Sequence, residues 1–148
     1  MSTRLSLFAA LLLVACGSSE AAPPPQTAAP VQAAPSDHYS GHWRGLAEVT
    51  SAMPNAPTEM DIDATIVDGG GQCGTFEYGA IGCSGTWTCT SGFGQPSLIV
   101  QESVRFGHER CPQGGRVELR ATNDPNVLEF HYTNAGITAH GRLNRSQM

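Results

Sequence analysis

From Trp43 onward the chain alternates apolar and polar residues in short runs broken by turn residues. The cleanest run is Met60-Asp61-Ile62-Asp63-Ala64-Thr65-Ile66, apolar at even positions and polar at odd ones. That period of two places one face of a strand against a core and the other in water. Gly69-Gly70-Gly71 ends it. Trp43, Ala47 and Val49 mark a strand before it. Gly74 to Tyr78 and Gly85 to Cys89 form a third and a fourth around a turn at Gly79 to Gly82. Leu98 to Phe106 is the fifth, with Leu98, Val100, Val104 and Phe106 on one face. Val117, Leu119 and Ala121 mark the sixth, and Leu128, Phe130 and Tyr132 the seventh, with Asn123-Asp124-Pro125-Asn126 between them. Ile137, Ala139, Gly141 and Leu143 mark the eighth, after Asn134-Ala135-Gly136.

Eight short antiparallel strands joined mostly by tight turns must hide two sheet edges. Closure into a barrel does so. The expected fold is all-β, a small eight-stranded antiparallel up-and-down barrel. The alternative is a two-sheet β-sandwich. A barrel of eight strands has room for its own side chains or for one small ligand.

The first 36 residues follow a different pattern. Arg4 is the only charge before Glu20, and Leu5 to Ala15 is apolar apart from Ser6. As a helix this run reaches about 16 Å, too short for the roughly 30 Å of hydrocarbon in a bilayer. It has the basic and apolar regions of an export signal. Leu13-Val14-Ala15-Cys16 resembles the lipobox of bacterial lipoproteins. The resemblance implies cleavage before Cys16, diacylglycerol on its sulfur and acylation of its new N-terminus. Several acyl chains anchor stably where one binds marginally. Gly17 and Ser18, where an Asp would retain an enteric lipoprotein in the inner membrane, point to the outer membrane. Residues 1–15 are thus read as the signal peptide and 16–36 as lipidated Cys and tether. The tether is rich in Ala and Pro, which favour extended polyproline II. Residues 37–148 make one domain.

Charge narrows the function. The chain has a net charge of −5 and no Lys, all eight basic residues being Arg. An acidic surface argues against nucleic acid as a partner. The missing Lys excludes Schiff bases, catalytic lysines and P-loops. No Gly-x-Ser-x-Gly, His-Glu-x-x-His or EF-hand pattern occurs. The five histidines are scattered; His42, His131 and His140 lie opposite the apolar parity and are expected at the surface. Asp61 and Asp63 share the polar face of their strand. Paired carboxylates there suit acid–base chemistry or a hard cation, and ordinary strand alternation explains them equally.

Beyond Cys16 four cysteines remain: Cys73, Cys83, Cys89 and Cys111. In an exported domain an even number points to two disulfides, and four cysteines allow three connectivities. Their spacing lacks the Cys-x-x-Cys of zinc sites. Two resemblances bear on the domain. Gly41-His42-Trp43 resembles the Gly-x-Trp start of lipocalins and avidins. "GTFEYGAIGCSGTWT", "QESV", "ERCPQGGRVEL" and "GRLNR" are similar to small secreted bacterial β-domains, which also occur as extracellular modules of some transmembrane Ser/Thr kinases. Gly74, Thr75, Tyr78, Cys83, Gly85, Glu102, Arg110, Cys111 and Leu143 carry that likeness; Trp87 and Cys89 replace its usual aliphatics. It implies a Cys83–Cys111 bridge, which leaves Cys73 to pair with Cys89. A hairpin centred on Ile81 would set that second pair opposite each other.

Glu102 shares the inward parity of the fifth strand. A carboxylate on a buried face must be paired, hydrogen-bonded or neutral. Tyr78 and Tyr132 share the inward parity of their strands and are expected to donate to it. Trp43 and Trp87 would wall the same cavity. This cluster reads either as the polar spot of a ligand site or as a structural hydrogen-bond network. The expected function is that of a membrane-anchored envelope lipoprotein acting as a non-enzymatic ligand-binding or interaction module. Its partner would be a small apolar ligand or an envelope protein, with no cofactor and no metal. The alternative is an envelope inhibitor of a lysozyme or a protease.

Overall fold

The period-two runs become eight strands: β1 (Gly41–Ser51), β2 (Glu59–Ile66), β3 (Gln72–Tyr78), β4 (Cys83–Cys89), β5 (Ser97–Phe106), β6 (Arg116–Ala121), β7 (Val127–Asn134) and β8 (Ile137–Ser146). They are seen in a computed structural model that describes residues 38–147. The segments read above as signal peptide and tether, with Cys16 between them, lie outside the described residues. Each strand pairs antiparallel with the next, and β8 returns to β1, giving a closed barrel and not a sandwich. Closure leaves no strand without a partner on either side.

The alternation fills the interior. In β2, Met60, Ile62, Ala64 and Ile66 are all buried, as are Leu98 and Val100 in β5, Val117 and Leu119 in β6, and Leu128 and Phe130 in β7. β1 and β8 approach closely where Gly45 and Gly141 face the partner backbone. A Cβ on Gly45 would lie 2.0 Å from the Arg142 carbonyl oxygen, and one on Gly141 2.1 Å from that of Leu46. Only hydrogen fits there.

In an up-and-down barrel, the loops after β1, β3, β5 and β7 gather at one end and those after β2, β4 and β6 at the other. The second end is closed. Tyr39, Trp43 and Phe93 are buried there, with Tyr39 edge-on to Phe93 at 6.3 Å. Trp43 Nε1 donates to the Tyr39 carbonyl at 2.7 Å. The Arg145 guanidinium lies 4.3 Å from the Trp43 ring centroid. It donates to the carbonyls of Ser40, His38 (2.8 Å) and Pro125 (3.3 Å). Trp43 therefore plugs the closed end.

Two bulges alter the expected side-chain directions. The β3–β4 hairpin pairs Tyr78 with Cys83 and Phe76 with Gly85. It is centred between Ala80 and Ile81, half a residue from the expected centre. Continued without interruption, this register would set Cys73 opposite Thr88 and on the outer face. A register shift between Gln72 and Gly74 absorbs Cys73 as an extra residue and turns it inward. Cys73 then bonds Cys89, with Cα atoms 5.7 Å apart, and Cys83 bonds Cys111 at 6.3 Å. The first bridge pins the closed end and the second the other. On β5, Ser84 pairs with Phe106 but Gly85 pairs with Val104, so Arg105 is the extra residue. Phe106 is thereby turned out of the barrel and is 72% exposed, against 4% for Val104. The expectation that it joins the core face fails because a bulge resets parity.

Candidate functional site

Glu102 lies at mid-strand in β5, with inward parity, and is 4% exposed. Its register partner on β4 is Trp87. Trp87 Nε1 donates to Glu102 Oε1 at 3.1 Å, and the Tyr78 hydroxyl donates to the same oxygen. Phe76 stacks on Trp87 at 5.9 Å and lies 4.8 Å from Tyr78, so β3 and β4 present a continuous aromatic wall. Burial raises the Glu102 carboxyl above its ordinary value, and the two hydrogen bonds offset only part of that shift. Burial, and then the neighbouring Glu102 charge, push the Tyr78 phenol well above its ordinary value. This is a buried carboxyl that ionises less readily than one in water, ringed by hydrogen-bonding aromatics.

Tyr132 takes a different place from the one expected. It lies beside Glu102 but donates no hydrogen bond to it. Both side chains face Gly115, where a Cβ would be 2.5 Å from Glu102 Oε2 and 2.4 Å from Tyr132 Cε2. The Glu102 amide donates to the Gly115 carbonyl at 2.7 Å, which fixes this approach. The absent side chain at position 115 is what lets the two groups converge.

The loop carrying Gly115 is held by side-chain amides. Gln113 stands in for a strand residue, accepting from the Val104 amide (3.0 Å) and donating to the Val104 carbonyl (2.7 Å). Gln101 donates to the carbonyls of Gly114 (2.7 Å) and Gly115 (3.0 Å). Asn134 donates to those of Pro112 and Gln113, both at 3.1 Å. The Cys83–Cys111 bridge ties the same loop to β4.

These loops frame a cleft of about 480 Å³ at the open end of the barrel. Its upper walls are the β1–β2 loop (Met53, Pro54, Pro57), Ile81, Pro112 and Ile137; its floor includes Met60, Tyr78 and Tyr132. Among the described residues, Arg110 is the single charged one lining it. The cleft combines apolar walls with a few polar groups at its base and rim, the usual make-up of a small-molecule site. Of the residues singled out from the sequence, Tyr78 and Tyr132 line it, and Glu102 and Trp87 back its floor. Trp43 does not join them, being at the opposite end.

The walls are not legible along the chain. Met53, Pro54 and Pro57 stand in a connection that carries no periodic signal. Ile81 and Pro112 are turn residues, and only folding gathers them. The outer-face residues also differ in part from expectation. His42 has a side chain only 16% exposed, with Nε2 2.5 Å from Asp63 Oδ1, while Arg44 Nε donates to Asp63 Oδ2 at 2.7 Å. Desolvation raises the Asp63 carboxyl, but the hydrogen bonds from His42 and Arg44 outweigh it and leave it below its ordinary value. Asp61 accepts from the Ala80 amide at 2.6 Å. The two aspartates thus serve different structural contacts. Among the described residues no group of three or more His, Cys, Asp and Glu is placed to hold a metal. The chain matches no protein-family model, no curated protein and no solved structure.

Proposed function

We propose that the protein is a lipid-anchored, non-enzymatic binding module of the bacterial cell envelope, held by Cys16 to the outer membrane. It takes a small amphipathic molecule in the open mouth of its barrel. The observation that carries this reading is the cleft itself: apolar walls from three loops and the start of β8, Tyr78 and Tyr132 at its floor, and one cation, Arg110, at its rim. An apolar body fits the walls, and an anionic head group fits Arg110. The buried Glu102 acts indirectly, by fixing the Tyr78 hydroxyl.

The test uses 1-anilinonaphthalene-8-sulfonate, an apolar ring system bearing one anionic group, with the full chain carrying both disulfides. The expected result is saturable one-to-one fluorescence enhancement that weakens in Ile81→Asp and in Arg110→Glu while cooperative thermal unfolding is kept. Absence of saturable binding, or equal binding in both variants, refutes the cleft as the site. Membrane attachment is read separately: Cys16→Ala is expected to leave the membrane fraction for the soluble one.

A further inference from the structure

The β5 bulge has a second effect, on the outside of the barrel. It presents the Phe106 ring to solvent at the head of a cross-strand row. In register, that row runs Asp63, Glu77, Ser84, Phe106 across β2, β3, β4 and β5. The adjacent row is Thr65, Thr75, Thr86, Ser103. All of these but Ser103, together with Arg105, line an outer groove of about 480 Å³, separate from the mouth cleft. Thr86 lies at its base, only 9% exposed although its parity points outward.

The charges in the groove are not spent on one another. Both oxygens of Asp63 are taken, by His42 and Arg44. Glu77 and Arg105 form no ion pair among the described residues. A carboxylate that accepts, a guanidinium that donates in a planar fork and a row of hydroxyls therefore face one groove beside a bare aromatic ring. A bulge that redirects one side chain is the ordinary way a strand re-aims a residue next to a site. Exposing Phe106 forgoes the stabilisation that its burial would contribute.

We infer that this outer groove binds a neutral oligosaccharide. A pyranose ring has an apolar C–H face that lies flat on an aromatic ring and an edge of hydroxyls that both donate and accept. Phe106 supplies the platform, Glu77 accepts from adjacent hydroxyls, Arg105 donates to them, and Thr75 and Thr86 complete the polar floor. An extended sugar chain lies along the row, across the strands. The barrel has no free edge there, so a peptide cannot add as a strand.

Chitotetraose and cellotetraose, both extended and uncharged, are titrated into the full chain by calorimetry. The expected result is binding of at least one of them, with a Kd near about 1 mM or tighter. Phe106→Ala and Glu77→Gln should each weaken that binding by about tenfold. Phe106 is mostly exposed, so its variant is expected to keep the wild-type melting temperature. Tyr132→Phe, which alters only the mouth, should bind the sugar as the wild type does. Three results overturn the inference: no binding of either sugar at about 10 mM, unchanged binding in both groove variants, or loss of binding in Tyr132→Phe.

Discussion

Gly115→Ala tests whether the space between Glu102 and Tyr132 is as tight as the geometry implies. The added methyl would lie 2.4 Å from Tyr132 Cε2, 2.5 Å from Glu102 Oε2 and 3.0 Å from the Tyr132 hydroxyl. Relief by moving Glu102 is blocked, because its other oxygen holds Tyr78 and Trp87. Relief by moving the backbone is opposed by the bond from the Glu102 amide to the Gly115 carbonyl. Overpacking of this kind costs about 1–3 kcal/mol. Against it stands the loss of unfolded-chain freedom on replacing Gly by Ala, which stabilises by about 0.4–1 kcal/mol where the backbone angles suit both. The net is a destabilisation of about 1–2 kcal/mol, and for a domain of about 110 residues that lowers the melting temperature by roughly 4–9 °C. The assay is thermal unfolding by circular dichroism. Gly92→Ala and Gly94→Ala are the controls, since a Cβ at either position meets nothing within 4 Å. They are expected to melt at or slightly above the wild type. A Gly115→Ala melting temperature within about 1 °C of wild type refutes the reasoning.

Three further outcomes are expected. The first concerns Glu102→Gln. The carboxyl has a raised pKa in the fold, so from its ordinary 4.5 upward the unfolded chain ionises first and the wild type loses stability as pH rises through the folded value. Urea midpoints from about pH 4 to about pH 8 should therefore shift in favour of the variant as pH rises, and the opposite slope would refute the assignment. The second concerns the disulfides. Removing Cys73–Cys89, with a sequence separation of 16, should cost about 3 kcal/mol, and removing Cys83–Cys111, with a separation of 28, about 3.6 kcal/mol by denaturant midpoint. Only the second removal should weaken dye binding, because only that bridge anchors a cleft loop. The third is Arg145→Lys. An ammonium cannot span the three carbonyls while lying over Trp43, so a loss of about 2 kcal/mol and a red-shifted Trp43 emission should follow, and an unchanged melting curve would contradict the capping role.

Much of the barrel is legible along the chain because strand formation is a local matter. The alternation of Met60 to Ile66 needs only a core on one side, and eight such runs with turns between them leave few architectures that protect the edges. The inward parity of Glu102, Tyr78 and Tyr132 follows from the same arithmetic. What fails does so where parity is interrupted. Phe106 reads as core until the extra residue at Arg105 turns it outward, and Cys73 reads as opposite Cys89 for a register that the hairpin does not adopt. A bulge is a choice between two strands, and neither strand's sequence specifies it alone.

The sequence by itself determined the strands, their faces, the inward carboxylate and a cysteine set consistent with two bridges, all from periods and residue chemistry. The tertiary structure decided which groups meet. It placed Trp87, and not Tyr132, as the second donor to Glu102, and set Trp43 at the far end from the cleft. It also gathered Met53, Ile81 and Pro112 from three separate connections, and Ile137 from the start of β8, around one mouth. The physical reason is range. Alternation reports on neighbours two residues apart, whereas a cleft is built from loops brought together only when β8 closes on β1.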